Sequence, residues 1–288
     1  MHKLGTHKES LFPRPDFTRR GFVVTTVAAG FALAVQPVSA ETIHTDSEGL
    51  TAGEVKIPVS DGTIPGYRAM PASGGPFPTI LVVHEIFGVH EHIQDLCRRL
   101  AKAGYFAVAP ALFAREGDVT SLTSQDQIMA VVASVPDKQV ASDLDATAAW
   151  AGSTGKADTQ RLAITGFCWG GREVWLYAAH NRNLKAAAAW YGVLDWPKSD
   201  QAPNNPIDIV GDIDVPVIGL YGGADKGIPV EHIYALRDAL KAAGKKCEFI
   251  VYPDTPHGFN ADYRASYRPD QAKDAWKHML DWFKSHGV

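Results

Sequence analysis

The hexapeptide Gly166-Phe167-Cys168-Trp169-Gly170-Gly171 limits the fold more than any other stretch of this chain. It follows an apolar run at 161–165 that reads as a strand, and it opens a segment at 169–180 that reads as a helix. A sharp strand-to-helix turn needs small residues around the residue at its apex, and glycines supply them. The turn lifts the apex side chain, here Cys168, above the edge of a sheet. The positive end of the following helix points at the sulfur and favours thiolate. The Trp169 N–H is then placed to donate to an oxyanion. Taken alone, the motif is also compatible with a tight turn around an inert buried thiol.

The surrounding pattern fits a turn of that kind. Short runs at 55–59 and 66–70 flank the turn signal Asp61-Gly62 and read as strands. The continuous apolar run at 79–83 suits a buried parallel strand. A helix is predicted over 90–103, with Ile93, Leu96, Cys97 and Leu100 on one face. Further strands are predicted at 105–109, 186–191, 215–221 and 247–252, and helices at 139–150, 229–243 and 272–284. Strands alternating with helices predict an α/β architecture, a mostly parallel sheet flanked by helices. The stretches 115–136 and 197–206 break the rhythm and read as loops or small helices over the site. No repeat and no linker divides the chain, so one domain is expected over 41–288.

An activating base and an acid that orients it should each follow a later strand. Asp225 ends the run into Gly222-Gly223-Ala224-Asp225, and His257 lies on the loop after the last strand. Both fall at the sheet edge where α/β proteins bind ligands. An Asp capping the next helix and a surface loop histidine are the plainer alternatives. The early loop His84-Glu85-Ile86-Phe87-Gly88 is where a second oxyanion donor is expected, and the Ile86 N–H is the candidate. Glu85 would then sit beside Cys168, where a carboxylate raises a thiol's pKa and accepts its proton. His84, His90 and His92 are close in sequence, but no second cluster completes a metal site, so no metal is expected. Cys97 reads as buried packing, and Cys247 as edge or core.

The first forty residues are of another kind. Arg19-Arg20 precede an apolar run at 23–35, which ends in Val38-Ser39-Ala40. Charged start, short apolar stretch and small-residue cleavage site make a signal peptide, and the arginine pair is the twin-arginine pattern. The run is too short for a spanning helix. A mature chain beginning at Glu41, periplasmic or secreted and not inserted in the membrane, is expected. The whole chain carries net charge −4. Residues 1–40 hold five Lys or Arg and two acids, so the remainder has 23 basic against 30 acidic residues, net −7. With no basic stripe, nucleic acid is not an expected partner.

These residues together resemble the dienelactone hydrolase (carboxymethylenebutenolidase) family. The matching segments are His84-Glu85-Ile86-Phe87-Gly88, Ala114-Arg115-Glu116, the hexapeptide at Cys168, Tyr221-Gly222-Gly223-Ala224-Asp225 and His257-Gly258-Phe259. The resemblance implies an α/β-hydrolase fold, no cofactor, and a small-molecule ester or enol-lactone substrate opened by Cys168, His257 and Asp225. It implies that Glu85 contacts the thiol until substrate frees it, and that Arg115 pairs with the substrate carboxylate. It favours a monomer. The family's second arginine, four residues after the histidine, is replaced here by Ala261, with Arg264 a possible substitute. A general carboxylesterase or thioesterase, or a non-catalytic thiol protein, are the rival readings.

Overall fold

The computed structural model describes residues 42–288. The expected signal peptide and its cleavage site lie outside the described residues. Eight strands form one sheet: β1 (Leu50–Val59), β2 (Gly62–Pro71), β3 (Phe77–Val83), β4 (Phe106–Pro110), β5 (Ala157–Phe167), β6 (Ala186–Trp190), β7 (Val217–Gly222) and β8 (Cys247–Tyr252). Six α-helices connect them: α1 (Glu91–Lys102), α2 (Gln125–Ser134), α3 (Asp137–Ser153), α4 (Trp169–His180), α5 (Val230–Ala242) and α6 (Pro269–Ser285).

The strand order is β1-β2-β4-β3-β5-β6-β7-β8. β1, β2 and β4 pair antiparallel, while all pairs from β4 through β8 are parallel. Every residue of β4, β6 and β7 is buried, as parallel strands covered on both faces require. Winding starts at β3, moves out to β4, then returns to β3's other side for β5. The chain therefore changes direction at β3, and ligands bind in the crevice at the carboxyl ends of strands where that happens. The loops after β3 and β5 border that crevice.

One expectation needs correction. β1 begins at Leu50 rather than 55, because Leu50 through Glu54 pair in register with Pro71 back to Tyr67. Backbone pairing extends a strand without any apolar pattern. The stretch 115–136, expected as loops or small helices, holds a ten-residue helix, α2, which buries Ile128 and Val132. Cys97, Cys168 and Cys247 are all free thiols. No helix among the described residues is long and apolar enough to cross a membrane.

Candidate active site

Cys168 stands at the turn from β5 into α4 with φ 58° and ψ −116°, left-handed backbone that costs energy for a residue with a side chain. Its surroundings admit only glycine. A Cβ on Gly166 would lie 2.3 Å from the Gly170 carbonyl oxygen, and one on Gly170 would lie 2.4 Å from that of His84. The turn is held by Cys168 N–H donating to Trp190 O at 3.0 Å and Val193 N–H donating to Cys168 O at 3.2 Å. Gly170 thus seats the turn at Cys168 directly on the loop after β3. Trp169 opens α4, so its N–H has no partner within the helix.

The loops after β7 and β8 are laced together. Gly223 N–H donates to Tyr252 O and Ala224 N–H to Thr255 O, at 2.7 and 3.0 Å. Gly222 is so close to Thr255 that a Cβ would lie 2.2 Å from its carbonyl oxygen. This lacing brings Asp225 and His257 into contact, with Oδ2 2.7 Å from Nδ1. Asp225 Oδ1 accepts from the Gly227 and Ile228 N–H groups at 2.8 and 3.1 Å, which fixes the carboxylate plane. Burial opposes a charge on His257. Asp225, and after it the charged form of Cys168 within hydrogen-bonding reach, outweigh burial and raise its pKa to about 10. Cys168, His257 and Asp225 therefore come together at the crevice, thiol beside imidazole beside carboxylate.

On the crevice's other wall, His84 is buried and neutral, its pKa pulled to about 4 chiefly by burial. Its Nε2 accepts from Leu112 N–H at 3.1 Å, so Nδ1 carries the proton and donates to Glu85 O at 2.7 Å. The ring lies against Phe113 and stacks on Trp169, with centroids 4.6 and 5.7 Å away. This histidine fixes the loop that presents Glu85 and Ile86. The Ile86 N–H makes no hydrogen bond among the described residues.

Glu85 does not engage the thiol. Its Oε2 accepts the Tyr263 O–H at 2.6 Å and lies 3.6 Å from Arg264 Nη2, while Oε1 accepts no hydrogen bond. Burial pushes this carboxyl up, but Arg264 above all, with His92, His90 and the Tyr263 hydroxyl, holds it below the usual carboxylate range. Arg264 is buried, lies over the Phe87 ring at 4.8 Å, and leaves Nε and Nη2 without hydrogen-bond partners. Ala261 is fully buried. Arg115 is the expectation the structure corrects. Its guanidinium is divided between Asp61 and Asp143, at 2.6 and 2.7 Å, and none of its hydrogen bonds reaches Glu85, Cys168 or His257. With both edges occupied by carboxylates, it presents no open fork to a substrate.

Sequence reasoning missed Tyr263 and Tyr191. Tyr191 has φ 36°, a buried hydroxyl with no hydrogen bond, and a ring edge-on to His257 at 5.0 Å. Neither residue carries a motif signal. Tyr191 directly follows β6, and Tyr263 lies on the long connection between β8 and α6. Among the described residues one group of possible metal ligands gathers, His44, Glu91 and Asp95. Arg98 Nη2 already lies 2.5 Å from Glu91 and 3.2 Å from Asp95, so a cation would have to displace a cation.

Parallel strands winding away from β3, with these side chains at their carboxyl ends, define an α/β-hydrolase. Within that class the chain belongs to the dienelactone hydrolase family, whose model matches residues 64–287, and it is a hydrolase. A Methylorubrum extorquens protein provisionally named a carboxymethylenebutenolidase is 62% identical over 281 residues, 97% of each chain. An Escherichia coli K12 protein with the same provisional name is 51% identical over 267 residues, 92% of this chain and 98% of its own. A Klebsiella pneumoniae crystal structure, provisionally described as a dienelactone hydrolase, superposes with TM-score 0.79 at 51% identity, covering 82% of this chain and 98% of that one.

Proposed function

We propose that this protein hydrolyses small esters or enol lactones through a Cys168–His257–Asp225 triad, after export from the cytoplasm. The observation that carries the reading is the 2.7 Å Asp225–His257 contact facing a cysteine at a strained strand–helix turn. Cys168 as thiolate attacks the carbonyl carbon, and the Trp169 and Ile86 N–H groups receive the oxyanion. Each such donor contributes about 100–1000-fold in rate. The leaving alkoxide or enolate takes the proton held by His257. His257 then draws a proton from water, which attacks the thioester and returns the thiolate. Asp225 keeps His257 in the tautomer and orientation both steps need. Thiolate is a good leaving group, so esters with stable leaving groups suit the site better than amides.

Arg264, whose Nε and Nη2 make no hydrogen bond although Nη2 is ion-paired with Glu85, is the cation for a substrate carboxylate. The engagement of Arg115 favours a second reading, a broader carboxylesterase in which neutral esters compete with acidic lactones. The test is Cys168→Ala against a panel of activated esters and lactones, with folding checked by circular dichroism. Turnover is expected to fall by several orders of magnitude. Retention of more than about a tenth of wild-type turnover in a folded variant would overturn the nucleophile, because removing a triad member costs far more than tenfold.

A further inference from the structure

We infer that Arg172, Glu173 and Asp137 form a proton-dependent clamp, which holds the excursion 197–206 down on the helix that follows Cys168 and loosens it as pH rises. The inference concerns a second cluster and does not depend on the triad. The excursion interrupts the rhythm between β6 and β7, and it leaves β6 beside the site. Tyr191 lies edge-on to His257, and Val193 N–H donates to Cys168 O.

Arg172 stands in the first turn of α4 and is 1% exposed, as is Glu173 beside it. Nη1 and Nη2 of the guanidinium donate to the two carboxylate oxygens of Asp137, in the first turn of α3, at 2.7 and 2.8 Å. Nη1 also donates to Glu173 Oε1 at 2.5 Å. Two carboxyl groups therefore share one cation. With both ionised, the cluster would keep an uncompensated negative charge out of water, so burial favours one retained proton. Asp137 holds both prongs of the fork, is partly open to solvent and lies at a helix N-terminus, which makes it the seat of the charge. The proton falls to Glu173. Burial pushes that carboxyl up, Arg172 pulls it down and Asp137 pushes it up again, leaving it at about 8.

The excursion hangs on the same groups. Among the described residues, two hydrogen bonds tie 197–204 to the helices beneath. Asp137 N–H donates to Gln201 O at 2.8 Å, and Arg172 Nη2 donates to Asn204 O at 2.8 Å. Both end on members of the cluster. Asn205 closes the excursion on itself, bonding Trp196 N–H and Trp196 O at 2.8 and 3.1 Å. The other charged groups packed against α4 are engaged elsewhere. Asp208 pairs with Lys198, Asp143 with Arg115, and Asp145 with His180 and the Tyr177 hydroxyl. Lys138 is exposed. β3, β6 and the inner half of β5, 162–167, carry no charged side chain.

Lifting the excursion uncovers Arg172 and lets water reach Glu173, which then gives its proton to solvent. A carboxyl that binds its proton more tightly in the closed form than in the open one favours closure at low pH. That advantage is complete below the open-state value near 4.5, is lost as pH rises toward about 8, and changes no further above it.

The experiment is amide hydrogen exchange read by peptide mass on the complete protein from pH 5.5 to 8.5, with labelling times scaled to the intrinsic rate at each pH. Protection of 197–206 in wild type is expected to fall by about tenfold or more between pH 5.5 and 7.5 and to level off above pH 8, while β6 and β7 stay protected. Glu173→Gln keeps the shape of the protonated side chain and has no proton to lose, so its profile should be flat. Asp137→Asn leaves Arg172 with a single carboxyl, which should then ionise, and its profile should flatten as well. A wild-type profile that is flat over this range overturns the inference, even should neither variant fold. A slope that persists unchanged in either folded variant overturns it too. Failure of the triad is recognised separately, by activity surviving Cys168→Ala, because exchange at 197–206 does not read catalysis.

Discussion

Asp225→Asn measures how much reactivity rests on one buried carboxylate. Asp225 Oδ1 is committed to the Gly227 and Ile228 N–H groups, so an asparagine oxygen would keep that place and turn its NH₂ toward His257. A donor would then face Nδ1, which must give up its own proton and take the wrong tautomer. The native His257 sits at about 10 against an ordinary 6.5, with burial pulling the other way. That gap is worth roughly 5 kcal/mol between the two protonation states. Once the carboxylate is lost, burial dominates, and the protonated form of His257 is no longer held. The expected loss in kcat/KM at pH 7 is about 10³–10⁴-fold, the size seen when a triad acid is neutralised. The assay is kcat/KM for p-nitrophenyl acetate from pH 5 to 10, with urea unfolding alongside.

The stability arm has a definite sign. A histidine whose pKa is raised on folding contributes stability fully present below its unfolded value of 6.5 and lost as pH rises through the folded value of about 10. The wild-type advantage in unfolding free energy should therefore shrink between pH 7 and 10. A variant within tenfold of wild type at pH 7, with an unchanged pH profile, would refute the reasoning.

Other substitutions probe the walls of the site. Gly170→Ala places a Cβ against the His84 and Val83 carbonyl oxygens, at 2.4 and 2.5 Å, and should cost about 1–3 kcal/mol in urea unfolding while lowering kcat. Arg264→Met should reduce the kcat/KM ratio of a carboxylate-bearing lactone to a neutral ester by about 10–100-fold, the loss of one charge-assisted contact. Arg115→Ala should leave that ratio unchanged and instead destabilise the fold by about 1–3 kcal/mol, because Asp143 stays buried without its partner. A changed ratio there would return Arg115 to the substrate. N-terminal sequencing of the exported protein should begin at Glu41, and Met1 on the active species would contradict export with cleavage.

The sharp turn at Cys168 and the positions of Asp225 and His257 at strand ends were legible because backbone geometry imposes them. A residue at φ 58° between crowded glycines leaves a local trace, and strand ends announce themselves through apolar runs. What sequence reasoning lost was pairing across the chain. Tyr263 meets Glu85 over 178 positions, and His92 meets Asp262 over 170. Asn260, Asp262 and Arg264 are polar residues on the connection after β8, yet all three are buried. Arg115 failed for a related reason. Its motif is local, but its partners are Asp61 on the β1–β2 turn and Asp143 in α3. The length of β1 escaped because its first half is paired through backbone rather than through apolar side chains.

The central claim, covalent catalysis by Cys168, is tested most directly by trapping the intermediate. The protein is mixed with an activated ester, quenched in acid within milliseconds to seconds, and digested for peptide mass analysis. An acyl group on the peptide carrying Cys168 is expected. It should appear at a rate no slower than kcat, be discharged on return to neutral pH, and be absent in Cys168→Ala. Hydrolysis that proceeds with no adduct at Cys168, or an adduct that forms and decays more slowly than turnover, would contradict it.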